Sequence, residues 1–378
     1  MDKKPTILQL TPALHQGGVE RGTVEMANFL ASEGWGSLVA SAGGSMKRDL
    51  NEDVLHLNVS MKRKTPLEIL KAYLALTAYL KENPVDLIHA RSRIPAWVAY
   101  FVSCRTGIPY LTTYHGTYGM QNMFKKFYNS AMVRGKHVIA ISKFIEAHVK
   151  TYFPKHPDMS LAYRGFDVSR FTESDDIRRV VKRLRAENDF HVGVPILMLP
   201  GRLTRWKGQA DFIKALADMK DLDWFAILAG GAEERQEGYL SELKDMAKAY
   251  GISERIVFTG NVENIVPYYA LSDIIVCPSN KPEAFGRVPV EAGSMAKPIV
   301  ATAHGGALET IKDGETGFHF AVGDTSGMAK ILRSLIENDS LCKELGENGK
   351  AFVEKTFTLK NMCSAELSAY KQVLKVYK

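Results

Sequence analysis

A short apolar run, a glycine-containing loop and a helical segment follow one another repeatedly in both halves of the chain. The first instance joins the apolar run Thr6–Leu10 to a glycine loop and to a helix predicted over residues 22–33. A second series begins at residues 196–199 and continues through 224–229 and Ile274–Cys277. Such alternation predicts an α/β fold with parallel sheets. Because 378 residues are too many for one ordinary core, the chain suits two such domains.

The loop after the strand at residues 196–199 contains two basic side chains between glycines. Arg202 follows Gly201, and Lys207 precedes Gly208. Ligands of open α/β sheets bind outside the carboxyl ends of the strands, which is where this loop is predicted to lie. The arginine fork chelates phosphate oxygens and lysine neutralises them as a point charge. The pattern therefore favours a phosphate site over an ordinary solvated basic loop.

The loop after Ile274–Cys277 contains two carboxylates eight positions apart. Glu283 is predicted to lie in the loop and Glu291 in the helix that follows at residues 288–296, with Gly286 between them. A helix N-terminus with nearby glycine amides seats a phosphate, while carboxylates suit hydroxyl groups. Hydroxyls beside phosphates describe a nucleotide sugar.

The first half offers weaker local signals. The loop at Gly17 and Gly18 lacks the Gly-x-Gly-x-x-Gly pattern of dinucleotide sites, and as local sequence it fits a tight turn equally well. His115 follows the apolar segment 108–114. A lone histidine is more often structural, but this one is predicted at a strand end, where ligands bind.

Taken together, Glu-x7-Glu with Phe285 and Gly286 after the first Glu, and the Arg202/Lys207 loop, resemble the donor-binding motif of family 4 glycosyltransferases. The resemblance implies retaining enzymes of the GT-B fold, in which two Rossmann-like parallel-sheet domains face a central cleft. It places an acceptor-side domain at 1–166 and a nucleotide-sugar domain at 167–358. The helix at about 359–378 is expected to pack back on the first domain.

The resemblance also implies roles for individual residues. Its catalytic group is Glu283, His115, Arg202 and Lys207, and its donor-binding group is Gly17, Gly18, Gly201, Arg202, Lys207, Phe285, Gly286 and Glu291. In this scheme Arg202 and Lys207 bind the donor diphosphate. His115 and Glu283 contact the transferred sugar, and Glu291 binds the ribose hydroxyls. Neither a metal nor a cofactor is expected, because the nucleotide sugar is a co-substrate.

Three alternatives compete with this interpretation. Asp221 and Asp223 fit the letters of an Asp-x-Asp metal site, but they precede a strand instead of following one, which favours a polar loop. Another nucleotide-sugar enzyme, such as a 2-epimerase, shares the donor site without an acceptor. A nonenzymatic anion-binding or nucleic-acid-binding protein would explain a basic half, but no nucleic-acid motif is visible.

The charge of the chain is unevenly distributed. Residues 1–170 hold 22 Lys and Arg against 13 Asp and Glu, which leaves 27 against 29 for residues 171–378. Lys62, Arg63 and Lys64 precede a helix predicted from Pro66 with apolar residues at helical spacing. Such a segment can lie on an anionic membrane, although an ordinary helix behind a solvated charge run explains it at least as well.

Cysteine usage and hydropathy indicate the compartment. The four cysteines are far apart without a Cys-x-x-Cys pair, which argues for reduced thiols. The apolar run near the N-terminus is too short for a signal-peptide core. We therefore expect a cytoplasmic protein, and the basic segment before Pro66 suggests that it is peripheral on the inner face of the cytoplasmic membrane. The resemblance implies a glycan or lipid-linked acceptor in lipopolysaccharide or cell-envelope synthesis.

Overall fold

The computed structural model describes residues 4–15, 17–232 and 237–376, and the chain forms two compact units. The first unit comprises Met1–Gly165 and Leu359–Lys378, and the second comprises Phe166–Thr358. Each unit is built on its own parallel sheet with helices between successive strands. The predicted α/β class with two parallel-sheet domains is confirmed.

The first unit has a seven-stranded sheet of order β3-β2-β1-β4-β5-β6-β7, in which every pairing is parallel. Its strands are β1 Thr6–Leu10, β2 Gly36–Ser41, β3 Val54–Asn58, β4 Leu87–Ala90, β5 Tyr110–Tyr114, β6 His137–Ala140 and β7 Met159–Leu161. Its helices are α1 Gly18–Ser32, α2 Pro66–Glu82, α3 Arg93–Thr106, α4 Met123–Asn129, α5 Lys143–Tyr152 and, at the end of the chain, α14 Leu359–Val376.

The second unit has a six-stranded sheet of order β10-β9-β8-β11-β12-β13, again with parallel pairings. Its strands are β8 Ile196–Pro200, β9 Phe225–Ala229, β10 Ile256–Phe258, β11 Ile274–Cys277, β12 Ile299–Thr302 and β13 Gly317–Phe320. Its helices are α6 Asp175–Glu187, α7 Gln209–Ala217, α8 Glu237–Ala249, α9 Val266–Leu271, α10 Arg287–Ser294, α11 Ala307–Thr310, α12 Thr325–Ile336 and α13 Asp339–Thr356.

Two helices near predicted site residues differ from their predicted bounds. α1 begins at Gly18, four residues before the predicted start, and Gly17 directly precedes it. α10 ends at Ser294 instead of 296, because Ala296 adopts a left-handed φ of 51° that no helix continues. Both helices still follow the strand-end loops that the sequence predicts.

Among the helices of the described residues, none combines the length and the hydropathy that a membrane span requires.

A buried polar network ties α14 to the first sheet. Arg91, directly after β4, donates from its two terminal nitrogens to the oxygens of Glu366 on α14, at 3.1 and 2.6 Å. Its Nε donates to Gln9 Oε1 at 2.8 Å. His89 lies between the hydroxyls of Tyr370 and Thr113, at 2.6 and 2.7 Å. These groups are buried, and each hydrogen bond gives a partner to a polar atom that would be costly to bury without one.

This network predicts an acid-sensitive first unit. Burial, and then the charges of Arg91 and His115, lower the pKa of His89 well below its ordinary value. Below about pH 6.5 the unfolded chain therefore takes up a proton that the folded state refuses. The stabilisation is complete above that pH and is lost as the pH falls. We expect His89 to account for a loss of about 1.4 kcal/mol in the free energy of unfolding between pH 7.5 and 5.5.

Urea unfolding at both pH values checks this expectation. His89→Asn should lower the stability at pH 7.5 but flatten its pH dependence by about the same 1.4 kcal/mol. His15→Asn, at an exposed histidine of the same unit, should leave the pH dependence unchanged. An undiminished pH dependence in His89→Asn would show that other groups cause it.

Candidate functional site

The loop between β8 and α7 is shaped by glycines at both ends. Gly201 and Gly208 have φ angles of 150° and 77°, values that side-chain-bearing residues rarely adopt. A Cβ at Gly208 would lie 1.9 Å from the carbonyl oxygen of Pro278, so only glycine allows the loop to approach the end of β11. The exposed Arg202 and the largely buried Lys207 thereby lie at the carboxyl end of β8, in a loop that approaches the end of the neighbouring β11.

An ion pair joins two of the predicted site residues. Lys207 Nζ lies 2.7 Å from Glu283 Oε1, and both side chains are largely buried, with 14% and 19% of their surface exposed. Ser279 donates its hydroxyl to the same oxygen at 2.8 Å. Burial alone would raise the pKa of Glu283, but the Lys207 ammonium and these hydrogen bonds lower it below its ordinary value. Glu283 is therefore ionised at neutral pH.

The end of β12 and the loop that follows it bind the backbone of the segment that carries this carboxylate. Thr302 Oγ1 and His304 Nε2 both donate to the carbonyl oxygen of Ser279, at 2.8 and 2.7 Å. The amide of Gly306 donates to the carbonyl oxygen of Glu283 at 2.8 Å. Because both ends of the segment from Ser279 to Glu283 are held by the neighbouring strand's loop, the Glu283 carboxylate has a defined position.

Glu291 occupies a separate environment on α10. Tyr269 donates its hydroxyl to Oε2 and Arg287 donates to Oε1, each at 2.8 Å. Burial raises the pKa of Glu291, although both of these partners counteract the rise. The two carboxylates of the motif therefore differ physically: Glu283 faces a lysine, whereas Glu291 is buried between a phenol and an arginine.

Phe285 and Gly286 contribute mainly through the backbone. The Phe285 ring is buried and packs edge-on against Phe357, with their centroids 5.5 Å apart. Gly286 has a φ of 82° and precedes the first residue of α10, whose first-turn amides have no acceptor within the helix. The predicted donor contact of Phe285 would thus come from its peptide group, since the ring belongs to the interior.

In the first unit, Gly18 and His115 both lie at the carboxyl edge of the sheet. The carbonyl of Gly18, at the start of α1, accepts a hydrogen bond from Arg164, while Gly17 precedes the helix with an extended backbone. His115 follows β5, and its buried Nε2 has no hydrogen-bond partner among the described residues. Burial, and then Arg164 and Arg91, lower the pKa of His115 well below its ordinary value. The ring is therefore neutral at pH 7 and suited to a hydrogen bond with a ligand hydroxyl.

The structure also identifies site residues that the sequence analysis did not select. These are Ser279 and Tyr269, which donate to Glu283 and Glu291 respectively, and His304, which donates to the carbonyl oxygen of Ser279. Ser279 and His304 each follow a strand by two residues, so the strand-end rule already indicated them. Tyr269 had no such signal, because its contact with Glu291 spans 22 residues.

Asp221, the first residue of the alternative Asp-x-Asp motif, forms an ion pair. Both carboxylate oxygens of Asp221 accept from Arg333, at 2.7 and 2.6 Å, in the loop that precedes β9. In the part of the chain that the structure describes, no group of three or more His, Cys, Asp or Glu side chains is arranged to hold a metal ion.

Sequence comparison matches each half of the chain to a known family. Residues 180–352 match the family described as glycosyl transferases group 1, and residues 16–170 match glycosyltransferase family 4. A solved glycosyltransferase from Rickettsia africae ESF-5 is 34% identical and has a TM-score of 0.87. The match covers 98% of this chain and 99% of that protein.

Two curated relatives are more distant. The N-acetyl-alpha-D-glucosaminyl L-malate synthase of Bacillus anthracis is 26% identical over 303 residues, which cover 78% of this chain and 76% of that enzyme. A lipopolysaccharide core biosynthesis mannosyltransferase of Rhizobium leguminosarum bv. viciae is 30% identical over 176 residues. That second match covers 46% of this chain and half the length of the relative.

Proposed function

This chain belongs to the family 4 glycosyltransferases, and we propose that it is a retaining enzyme that moves a sugar from a nucleotide-sugar donor to a glycan or lipid-linked acceptor. The observation that carries the proposal is the Lys207–Glu283 ion pair at the carboxyl ends of β8 and β11. It brings together the predicted phosphate ligand and the predicted sugar ligand. The mannosyltransferase relative supports an acceptor from lipopolysaccharide core synthesis.

The charges in the second unit suit the departure of a nucleoside diphosphate. Negative charge develops on the diphosphate as the bond to the sugar breaks, and positioned cations stabilise it most in the transition state. Lys207 and Arg202 supply such cations without a metal ion. When a diphosphate engages Lys207, the ionised Glu283 is left beside the sugar, where it stabilises the positive charge that develops on the ring. His115, as a neutral ring with an open nitrogen, is proposed to bind a sugar hydroxyl.

A thermal-melt panel with UDP-, GDP- and ADP-sugars tests the proposal, since a ligand bound only by the folded state raises Tm. One nucleotide series should raise Tm, and transfer with that donor should persist in EDTA. Activity that EDTA abolishes and Mg²⁺ restores would instead favour Asp221 and Asp223 as metal ligands. Conversion of the donor to its 2-epimer without any acceptor would favour the epimerase. A panel without any shift would favour a nonenzymatic anion-binding protein.

The separate environments of the two carboxylates predict separate defects. Glu291→Gln should weaken nucleoside diphosphate binding at least tenfold, because a hydrogen bond to a charged group contributes about 1.5–3 kcal/mol. Glu283→Gln should spare that affinity and lower turnover instead. Calorimetry with the nucleoside diphosphate, together with steady-state kinetics, separates the two effects. Glu347→Gln, at an exposed position of α13, is the control. Equal loss of affinity in both site variants would contradict the assignment.

We also propose that the first unit docks on an anionic membrane surface. Lys62, Arg63 and Lys64 are exposed before α2, and Glu68 fixes their loop by accepting from the amides of Lys62 and Arg63 at 2.7 and 3.0 Å. Thr65 caps the helix by accepting from the amide of Glu68. Each basic residue near an anionic surface contributes about 1 kcal/mol, so the three together support reversible adhesion.

Cosedimentation with phosphatidylglycerol vesicles tests this docking. Wild type should bind at low salt and be released at high salt, since the attraction is screened over about 8 Å at physiological ionic strength. The Lys62/Arg63/Lys64→Ser variant should lose most of the binding. A matched triple at exposed positions of α6, Arg178/Arg179/Lys182→Ser, should bind like wild type. Equal binding to neutral vesicles, or none at low salt, would favour a soluble acceptor.

A further inference from the structure

A large apolar groove lies between α2, α3 and α4 of the first unit. Its volume is about 890 Å³, which is within the range of small-molecule sites. Ten of its twelve lining residues are uncharged, and most of these are aliphatic or aromatic. None of the predicted site residues lines it, so the groove is distinct from the donor site.

The aromatic wall of the groove is held in a fixed geometry. The Trp97 ring stacks on Phe101 and packs against Phe127, with centroids 5.9 and 5.3 Å apart. Its indole nitrogen donates to the carbonyl oxygen of Tyr128 at 3.0 Å. Because the polar atom of Trp97 is thereby satisfied, the ring presents only apolar surface to the groove. A ligand for this wall needs no hydrogen-bonding groups along its length.

Positive charge accompanies this apolar surface. Among the described residues, the charged ones that line the groove are Lys64 and Arg105, and no carboxylate does. Lys64 is the last residue of the basic loop before α2. The groove thus offers an apolar channel with cations at its rim, which complements a molecule that has a long apolar part and an anionic head.

Exposed apolar side chains are concentrated on the helices that form the groove. Of the twelve large hydrophobic side chains that are exposed on the described residues, seven lie on the same three helices. They are Leu67, Leu70, Leu74, Phe101, Met123, Phe124 and Phe127. Met123 and Phe124 are 86% and 87% exposed, an unusual state for such residues in water. This face therefore suits an apolar environment around the groove as well as within it.

We propose that the groove binds the hydrocarbon chain of an anionic, phosphate-bearing lipid that serves as the acceptor. The proposal rests on the proposed glycosyltransferase function and narrows its acceptor to a lipid-linked one. A second copy of this chain is disfavoured as the occupant, because its own cationic rim would meet like charges. A docked protein segment remains an outcome that the experiment below distinguishes.

Binding of alkyl phosphates to the full chain tests the proposal without any donor or bilayer. Dodecyl phosphate below its micelle concentration should bind with one-to-one stoichiometry in calorimetry, and octyl phosphate should bind more weakly. Each buried methylene contributes about 0.8 kcal/mol, or about fourfold in affinity. Ethyl phosphate should not bind detectably, and dodecanol should bind more weakly than dodecyl phosphate. Binding should also change tryptophan fluorescence in wild type but not in Trp97→Phe.

Paired variants separate the groove from the face around it. Leu70 lines the groove, whereas Leu74 is on the same helix, is similarly exposed and does not line it. Leu70→Glu should weaken dodecyl phosphate binding at least tenfold, and Leu74→Glu should leave it within about twofold, because a carboxylate opposes only a chain that it contacts. Leu55→Glu, at an exposed leucine of β3, is a second control.

Several results would overturn the proposal. Equal binding of ethyl and dodecyl phosphate would show a simple phosphate site. Equal losses in Leu70→Glu and Leu74→Glu would show adhesion to the outer face without a chain in the groove. Vesicle binding without binding of monomeric dodecyl phosphate would show that the protein adheres to the membrane surface without a lipid chain in the groove. Absence of both kinds of binding would favour a protein segment as the occupant of the groove.

Failure of the groove proposal is distinguishable from failure of the glycosyltransferase proposal. The Tm shift by nucleotide sugars involves the second unit and should be the same in wild type and Leu70→Glu. A retained Tm shift without alkyl phosphate binding would overturn the lipid site and keep the donor site. Alkyl phosphate binding without any Tm shift by nucleotide sugars would keep the lipid site and overturn the donor site.

Discussion

Replacing Lys207 by Ala is expected to lower turnover by about two to three orders of magnitude, the effect of losing one preorganised group that stabilises developing charge. The ammonium of Lys207 is 2.7 Å from Glu283 in a largely buried position, so its removal has a second consequence. Without the lysine, burial dominates and the pKa of Glu283 rises. The acid limb of the pH–rate profile should therefore move to higher pH. Steady-state kinetics over a pH series measure both effects.

The control for this prediction lies two positions away. Arg205 belongs to the same short helical turn, but it is mostly exposed and pairs with Glu242 at 2.7 Å. Arg205→Ala should therefore change turnover by less than about threefold, because exposed ion pairs contribute little. Arg202→Ala should resemble Lys207→Ala in turnover without the shift of the acid limb. Near wild-type activity in Lys207→Ala and Arg202→Ala would exclude this loop as the leaving-group site.

Replacing Glu366 by Ala is expected to destabilise the first unit by about 3–5 kcal/mol, because it leaves the buried Arg91 guanidinium without its counter-charge. Both side chains are almost completely inaccessible, and the pair is bidentate. The loss should be concentrated in the first unit, since α14 and the first sheet are joined through this pair. Hydrogen exchange of amides in β1, β4 and α14 should accelerate strongly, while amides of the second sheet should change little.

A matched ion pair at the surface separates burial from charge. Arg333 binds Asp221 through two nitrogens at 2.6 and 2.7 Å, but both residues are partly exposed. Arg333→Ala should cost at most about 1 kcal/mol. The double variant Arg91→Met/Glu366→Leu should recover most of the stability that Glu366→Ala loses, since it removes both buried charges. If Glu366→Ala were no more harmful than Arg333→Ala, the buried pair would not anchor α14.

Local sequence was sufficient to predict the strands and loops that carry the proposed donor site. Strands were predicted at the positions of β8 and β11 because continuous apolar runs bounded by glycine or proline have few other solutions in an α/β chain. The loops after them followed from the rule that ligands bind at the carboxyl ends of parallel strands. The glycines also indicated turns in these loops, since Gly208 and Gly286 adopt left-handed backbones.

The bounds of α1 and α10 were less well predicted. The periodic pattern of α1 begins with Thr23 and Val24, whereas hydrogen bonding extends the helix back to Gly18. At α10, the left-handed turn at Ala296 ended the helix although alanine favours continuation. In both cases the backbone at the end of the helix decided where it started or stopped, and helical periodicity contains no such information.

The sequence by itself determined the fold class, the strand-end loops and the residue types of the donor motif, because these depend on patterns within about twenty residues. The tertiary structure decided which side chains meet. Lys207 and Glu283 are 76 residues apart, and Arg91 and Glu366 are 275 apart. Lys207 and Glu283 meet because β8 and β11 are neighbours in one sheet, whereas Arg91 and Glu366 meet because α14 packs against the first sheet. Both pairs lie where water is largely excluded, and the spacing of residues along the chain does not encode their proximity.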